Sequence, residues 1–187
     1  MIIKPKIGVD LDGVTYNYGN PYDEFLLSKG IVSVKSEYSA GLSKEKEIEY
    51  VIEFASKRPY LWIPLIPGAV EAVNILSKFY DISLVTARGT FFNGQEDTVH
   101  RIKQDKIPYE NIIFSASKGD VAKRLNLRIF VEDHLKNAIN IKEKSPNTLI
   151  YLVNAEYNQS NENYGFIRVS GLEEVAKIET QKLNLQN

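Results

Sequence analysis

The stretch Ile7-Gly8-Val9-Asp10-Leu11-Asp12-Gly13-Val14 decides the reading of this chain. A short apolar run ending in two carboxylates one residue apart reads as a buried strand that delivers both to its C-terminal end. In a parallel α/β sheet that end is where ligands bind. Residues i and i+2 of a regular strand point the same way, so the spacing puts Asp10 and Asp12 on one side. Two carboxylates that close do not comfortably both stay charged without a cation, or a proton on one of them. The pattern therefore points to a bound metal, to acid–base work, or to both. The same Asp-x-Asp-Gly spelling also occurs in turns and calcium loops, so the rest of the chain has to decide.

Four further apolar runs resemble the first: Ile82–Val85, Ile112–Phe114, Ile129–Val131 and Leu149–Val153. Helical patterns lie between them. Ala69, Val73, Leu76 and Phe79 have helical spacing after Pro67-Gly68. Ser117-Lys118-Gly119-Asp120 looks like a capping box ahead of Val121, Ala122 and Leu125. Leu135, Ala138 and Ile139 form another stripe, and Ser170-Gly171 introduces a last helix carrying Val175 and Ala176. Strands alternating with helices imply right-handed crossovers and a parallel sheet covered on both faces. The expected fold class is a doubly wound α/β fold.

The first crossover breaks the rhythm. From Thr15 to Ile66 there is no strand of the buried type but two helical candidates. One starts at Asn20-Pro21, with Tyr22, Phe25 and Leu26 inward and Gly30 ending it. The other runs over 43–57, with Ile48, Val51, Ile52 and Ala55 on one face. Some fifty residues far exceed what a crossover requires. The expectation is a core of residues 1–14 and 67–187, with 15–66 inserted as a helical cap over the catalytic end. The Asn-rich stretch 154–163 reads as an exposed loop, and the tail after Thr180 is expected to fray.

Composition narrows the classes. The 187 residues are 43% hydrophobic and 25% charged, enough for one globular domain with a sizeable core. A net charge of −1 and a pI near 6.2 leave no electrostatic footprint for nucleic-acid polymers or anionic membranes. The absence of cysteine excludes disulfides, thiolate metal sites and a cysteine nucleophile. No run approaches a membrane span and no signal-peptide pattern opens the chain, so a cytoplasmic protein is expected.

Three more features fall on the same sheet edge. The second strand ends in Thr86-Ala87-Arg88, where a hydroxyl and free backbone N–H groups can hold a phosphoryl oxygen. Lys118 sits in the predicted first turn of a helix, where the helix dipole disfavours a cation, which suits an anion-binding role. The fourth strand ends in Glu132-Asp133. Each alone has a bland reading as a cap or a solvated side chain; together, each following a strand, they make a constellation.

At this point the sequence resembles the haloacid dehalogenase-like phosphohydrolase superfamily. Its four motifs match in order: Asp10-Leu11-Asp12-Gly13-Val14, Thr86, Lys118 and Glu132-Asp133. The insertion looks like a C1-type cap. The size of the chain, the helical cap, Thr86-Ala87-Arg88 and Phe130-Val131-Glu132-Asp133 are similar to the 5′(3′)-deoxyribonucleotidase branch, although that branch usually has Asp-Asp as its fourth motif. The resemblance implies Asp10 as a nucleophile that forms an aspartyl-phosphate, and Asp12 as the acid–base group. It implies Mg²⁺ held by Asp10, the Asp12 carbonyl and Asp133, with Glu132 acting through water. Thr86, Ala87 and Lys118 would hold the phosphate.

Substrate choice would then lie in the cap. Residues 15–66 contain nine of the twenty aromatics, namely Tyr16, Tyr18, Tyr22, Phe25, Tyr38, Tyr50, Phe54, Tyr60 and Trp62, twice the density elsewhere. Most would fill the cap core; Tyr16, Tyr18 and Trp62, with Arg88, are the candidates to touch the substrate. His100 and His134 read as surface or capping residues. The expected partner is a small phosphorylated metabolite such as a (deoxy)nucleoside monophosphate, in a monomer or homodimer. Sugar phosphates and other small phosphomonoesters are the alternative substrates. A phosphate-binding pseudo-enzyme is the alternative class, and a response-regulator receiver is disfavoured by the motif order. A dehalogenase needs no proton for its halide, so the acid at Asp12 favours phosphate chemistry.

Overall fold

The computed structural model describes residues 4–31, 42–89, 92–160 and 164–185. Among them, six strands form one parallel sheet: β1 (Lys6–Val9), β2 (Asp81–Thr86), β3 (Asn111–Phe114), β4 (Ile129–Glu132), β5 (Leu149–Val153) and β6 (Ile167–Val169). Their spatial order is β3-β2-β1-β4-β5-β6. The chain builds outward from β1 on one side, then crosses to β4 and builds outward on the other. The switch point is the crevice between β1 and β4, and ligands bind outside the carboxyl ends of strands at such a point. Val9 pairs with Leu84 of β2 and Val131 of β4, which brings the ends of these three strands to the same edge.

Period-two alternation sorts the strand residues onto two faces. Ile129, Val131, Tyr151 and Val153 join one apolar cluster with helices α3 (Ala69–Leu76) and α7 (Leu172–Asn184). Val85, Phe130, Ile150 and Leu152 join the other with α5 (Lys118–Leu125) and α6 (Leu135–Lys144). Both faces are covered, as a doubly wound sheet requires. No described helix is long and apolar enough to cross a membrane.

The segment between β1 and α3 folds as α1 (Gly19–Ser28), α2 (Lys44–Ser56) and a 3-10 turn at Pro59–Leu61. Its buried Tyr18, Tyr22, Phe25 and Phe54 pack on one another and belong to the same apolar cluster as β1 and α3. Tyr38 lies outside the described residues. α1 begins one residue before the predicted cap, because Asn17 Oδ1 accepts the Asn20 N–H at 3.3 Å. α2 keeps its predicted bounds, with the Ser43 hydroxyl accepting from the Lys46 N–H, but its inward face differs. Phe54 and Ala55 are buried while Ile48 and Ile52 stay exposed, because the aromatic cluster captures the Phe54 side of the helix.

Other departures have local causes. Two elements had no clear sequence signal: α4 (Gly94–Gln104), which is mostly polar, and the three-residue β6. The α3 stripe stops at Leu76, leaving Phe79 partly exposed. Ser117 does not cap a backbone N–H; its hydroxyl donates to Asp120 Oδ2 at 2.5 Å. Within 154–160 the chain forms a 3-10 turn, Glu156–Asn158, whose Asn158 is fully buried, whereas residues 161–163 lie outside the described ones. α7 continues past Thr180 to Asn184, with Lys182 donating to the Tyr151 hydroxyl of β5 at 2.9 Å.

Candidate active site

Asp10 follows the last residue of β1, and its N–H donates to the Val131 carbonyl of β4. A tight turn comes next: Thr15 and Tyr16 N–H groups both donate to the Leu11 carbonyl, and Gly13 N–H to the Tyr16 carbonyl. Gly13 has φ +76°, and a Cβ there would overlap the Asp133 carboxylate. Glycine therefore lets the turn pass directly over the end of β4.

Four charged side chains converge below this turn. Lys118, the first residue of α5, places Nζ 2.5 Å from Asp10 Oδ2 and 2.7 Å from Glu132 Oε2, and all three residues are buried. The other Asp10 oxygen accepts the Leu11 N–H at 2.7 Å. Glu132 Oε1 accepts the His134 N–H at 3.1 Å and Asn137 Nδ2 at 3.2 Å. Asp133 accepts the Tyr157 hydroxyl. One oxygen from each of Asp10, Glu132 and Asp133 lies within 4.8 Å of the others.

Three buried carboxylates around one ammonium leave an excess of negative charge. Burial, then the Glu132 charge, push the Asp10 carboxyl well above the ordinary range despite Lys118. Burial and Glu132 likewise push Asp133 up to about 7. Glu132 goes the other way: burial opposes its ionisation, but the Lys118 charge and hydrogen bonds from Lys118, Asn137 and the His134 backbone hold it low. Burial alone would also lower Lys118, yet Asp10 and Glu132 hold it charged. Such an all-oxygen, over-charged cluster fits a hard divalent cation of the Mg²⁺ type. Asp10 and Asp133 could hold it, with Glu132 committed to three donors, Lys118, Asn137 and the His134 N–H.

Asp12 is held apart from this group. Arg88 Nε lies 3.0 and 3.1 Å from the two Asp12 oxygens and Nη2 lies 2.6 Å from Oδ1. The guanidinium is buried between the rings of Tyr16, at 4.8 Å, and Tyr60, at 4.6 Å. Its backbone N–H donates to Thr86 Oγ1 at 3.2 Å, which leaves the Thr86 hydroxyl proton for another acceptor.

A cleft of 280 Å³ opens over these residues, reached by Asp10, Asp12, Thr86, Ala87, Arg88, Lys118, Glu132 and Asp133. Tyr18 and Tyr60 stack at 6.1 Å and form part of its wall. Two of the aromatics singled out from the sequence do not line it. Tyr16 is fully buried, with its hydroxyl donating to Asp105, and Trp62 is half-exposed, donating Nε1 to the Lys57 carbonyl and packing edge-on against Phe54. His134 and Asn137 line the cleft unanticipated, and Tyr157 touches the site although it lies in a stretch that reads only as loop.

No family model and no curated protein sequence matches the chain significantly. Solved structures do. A haloacid dehalogenase-like hydrolase from Streptococcus pneumoniae superposes with a TM-score of 0.65 at 17% identity, covering 94% of this chain and 98% of that one. An L-2-haloacid dehalogenase gives 0.63 at 8% identity, covering 94% and 99%. A candidate phosphoglycolate phosphatase from Lactobacillus plantarum gives 0.62 at 12% identity, covering 95% and 100%. The six-stranded parallel sheet, its strand order and these superpositions together establish that the chain has the haloacid dehalogenase-like fold.

Proposed function

We propose that the protein is a Mg²⁺-dependent phosphomonoesterase that works through an aspartyl-phosphate on Asp10. The observation that carries this reading is the excess negative charge of Asp10, Glu132 and Asp133 around Lys118, beside a separate carboxylate, Asp12. In the first step an Asp10 oxygen bonds to phosphorus as the ester P–O bond breaks, and Asp12 gives a proton to the leaving alkoxide. In the second, Asp12 takes a proton from water as that water bonds to phosphorus and the Asp10–phosphorus bond breaks. Mg²⁺, held by Asp10, Asp133 and the Asp12 carbonyl, would offset the repulsion between an anionic nucleophile and an anionic substrate. Thr86, the Ala87 backbone and Lys118 hold phosphoryl oxygens where charge spreads in the transition state. Glu132 orients Lys118.

Residues 15–66 act in this reading as the cap, with Tyr18 and Tyr60 as its cleft-facing wall. A volume of 280 Å³ is at the lower edge of small-ligand sites, roughly 300–1,000 Å³, which suits a small phosphomonoester. A nucleoside would extend past the Tyr18–Tyr60 wall, where stacking could hold its base. Assay over deoxynucleotides, ribonucleotides and sugar phosphates, with 2-haloacids as the contrasting class, tests the reading. Phosphate release that stops in EDTA supports it. Halide release from a 2-haloacid without phosphatase activity would replace it with a dehalogenase, and inertness to every phosphoester and haloacid would leave a binding protein.

A further inference from the structure

Asp133 is gripped from a direction that none of the four sheet-edge motifs supplies. After β5 the chain turns through Glu156–Asn158, and the Tyr157 hydroxyl donates to Asp133 Oδ2. The next residue, Asn158, is fully buried and donates Nδ2 to the Asp133 and Val153 carbonyls, each at 2.6 Å. Asn158 Oδ1 accepts from the Ala155 N–H at 3.2 Å and from Arg168 Nη1 at 3.0 Å. Arg168 Nη2 closes the circuit on the Asn158 carbonyl at 2.7 Å. One loop thus fixes both the backbone and the carboxylate of Asp133, and β6 fixes the loop. Gly13 lies on the other side: a Cβ there would stand 3.0 Å from the Tyr157 hydroxyl as well as in the Asp133 carboxylate.

The kind of donor matters. A lysine contacting Asp133 would neutralise it and compete with a cation. A phenol fixes one carboxylate oxygen and leaves the full charge available. Groups that orient a ligating carboxylate in this way commonly govern metal affinity. We propose that Tyr157, seated by Asn158 and Arg168, is a positioning residue that sets the affinity of the site for Mg²⁺. This inference rests on the Mg²⁺ reading given above.

Calorimetric titration of Mg²⁺ into the substrate-free full chain, as wild type, Tyr157→Phe and Asp133→Asn, separates the two ideas. The expected result is binding weaker by about 10- to 100-fold in Tyr157→Phe. Turnover of p-nitrophenyl phosphate should recover as Mg²⁺ is raised, whatever small loss of melting temperature the missing hydrogen bond brings to the metal-free variant. A merely structural tyrosine would instead lower melting temperature and turnover together, with no rescue by metal. Tyr157→Phe binding as tightly as wild type, while Asp133→Asn does not bind, would overturn the positioning role and leave the Mg²⁺ site standing. No binding by the wild type would overturn both. If Tyr157→Phe cannot be purified folded, Arg168→Gln, at an exposed position remote from the carboxylates, carries the test: weaker Mg²⁺ binding supports the seated loop, and unchanged affinity overturns it.

Discussion

Replacing Asp133 by Asn should make the metal-free protein more stable while destroying its activity. Burial, and after it the Glu132 charge, raise the Asp133 carboxyl from 3.8 to about 7, against a hydrogen bond from Tyr157 and the Lys118 charge. A carboxyl that binds its proton more tightly in the folded than in the unfolded chain destabilises the fold wherever it is ionised. That cost is absent below pH ~4, grows as the pH rises through the window up to about 7, and is full above it. Roughly three pH units at about 1.4 kcal/mol each set an upper value of ~4 kcal/mol. Asparagine removes the charge, keeps the shape and can still accept from Tyr157, so a gain of about 2–4 kcal/mol is expected at pH 8. At about 2–4 °C per kcal/mol for a chain of this size, the melting temperature should rise by about 4–16 °C. Thermal unfolding followed by circular dichroism in EDTA at pH 8 and pH 5 reads it, and the gap should shrink at pH 5 as the wild type takes up its proton. Adding Mg²⁺ at about 100 times its Kd should return some 2.7 kcal/mol to the wild type alone. An Asn variant less stable than wild type in EDTA at pH 8, or a gap indifferent to pH, would refute the electrostatic reasoning.

Three further outcomes follow from specific contacts. Arg88→Met should destabilise the protein by about 1–3 kcal/mol by leaving the partly buried Asp12 without its partner, and the double variant with Asp12→Asn should recover part of that loss in denaturant titrations. Gly13→Ala should cost more than about 1 kcal/mol, because φ is positive and its Cβ meets the Asp133 carboxylate; the same measurement checks it. Glu179 is opposed by burial but held low by hydrogen bonds from Lys182, Tyr151 and Tyr80. Its contribution is therefore present above the ordinary glutamate range and lost as pH falls through the lowered value, so Glu179→Gln should be less stable at pH 7, with the gap to wild type narrowing as the solution is acidified.

The sheet was legible because its four inner strands are continuous apolar runs and because Asp10, Thr86 and Glu132 each follow or end one of them, with Lys118 four residues past the edge strand β3. A buried strand and a polar residue at its tip are both local signals. Residues that depend on tertiary packing were not legible. Tyr16 and Tyr18 sit two apart in the same motif-proximal turn, yet Tyr16 turns into the core toward Asp105 and Tyr18 reaches the cleft. Ile48 and Ile52 look like core on helical spacing, but the aromatic cluster around Phe54 sets the inward face. Tyr157 and Asn158 reach the site in a loop held by Asn158 on the Val153 and Asp133 carbonyls and by Arg168 of the three-residue β6, contacts that no local pattern announces. The pairing of Arg88 with Asp12 joins two motifs seventy-six residues apart and leaves no trace in either alone.

An aspartyl-phosphate on Asp10 is tested most simply by quenching the enzyme in acid during Mg²⁺-supported turnover of p-nitrophenyl phosphate and mapping the phosphoryl group by peptide mass spectrometry. The expected result is phosphate on the peptide at Asp10, absent in EDTA and absent from Asp10→Asn, which should also be inactive. Phosphate on another residue, or undiminished turnover by Asp10→Asn, would contradict it.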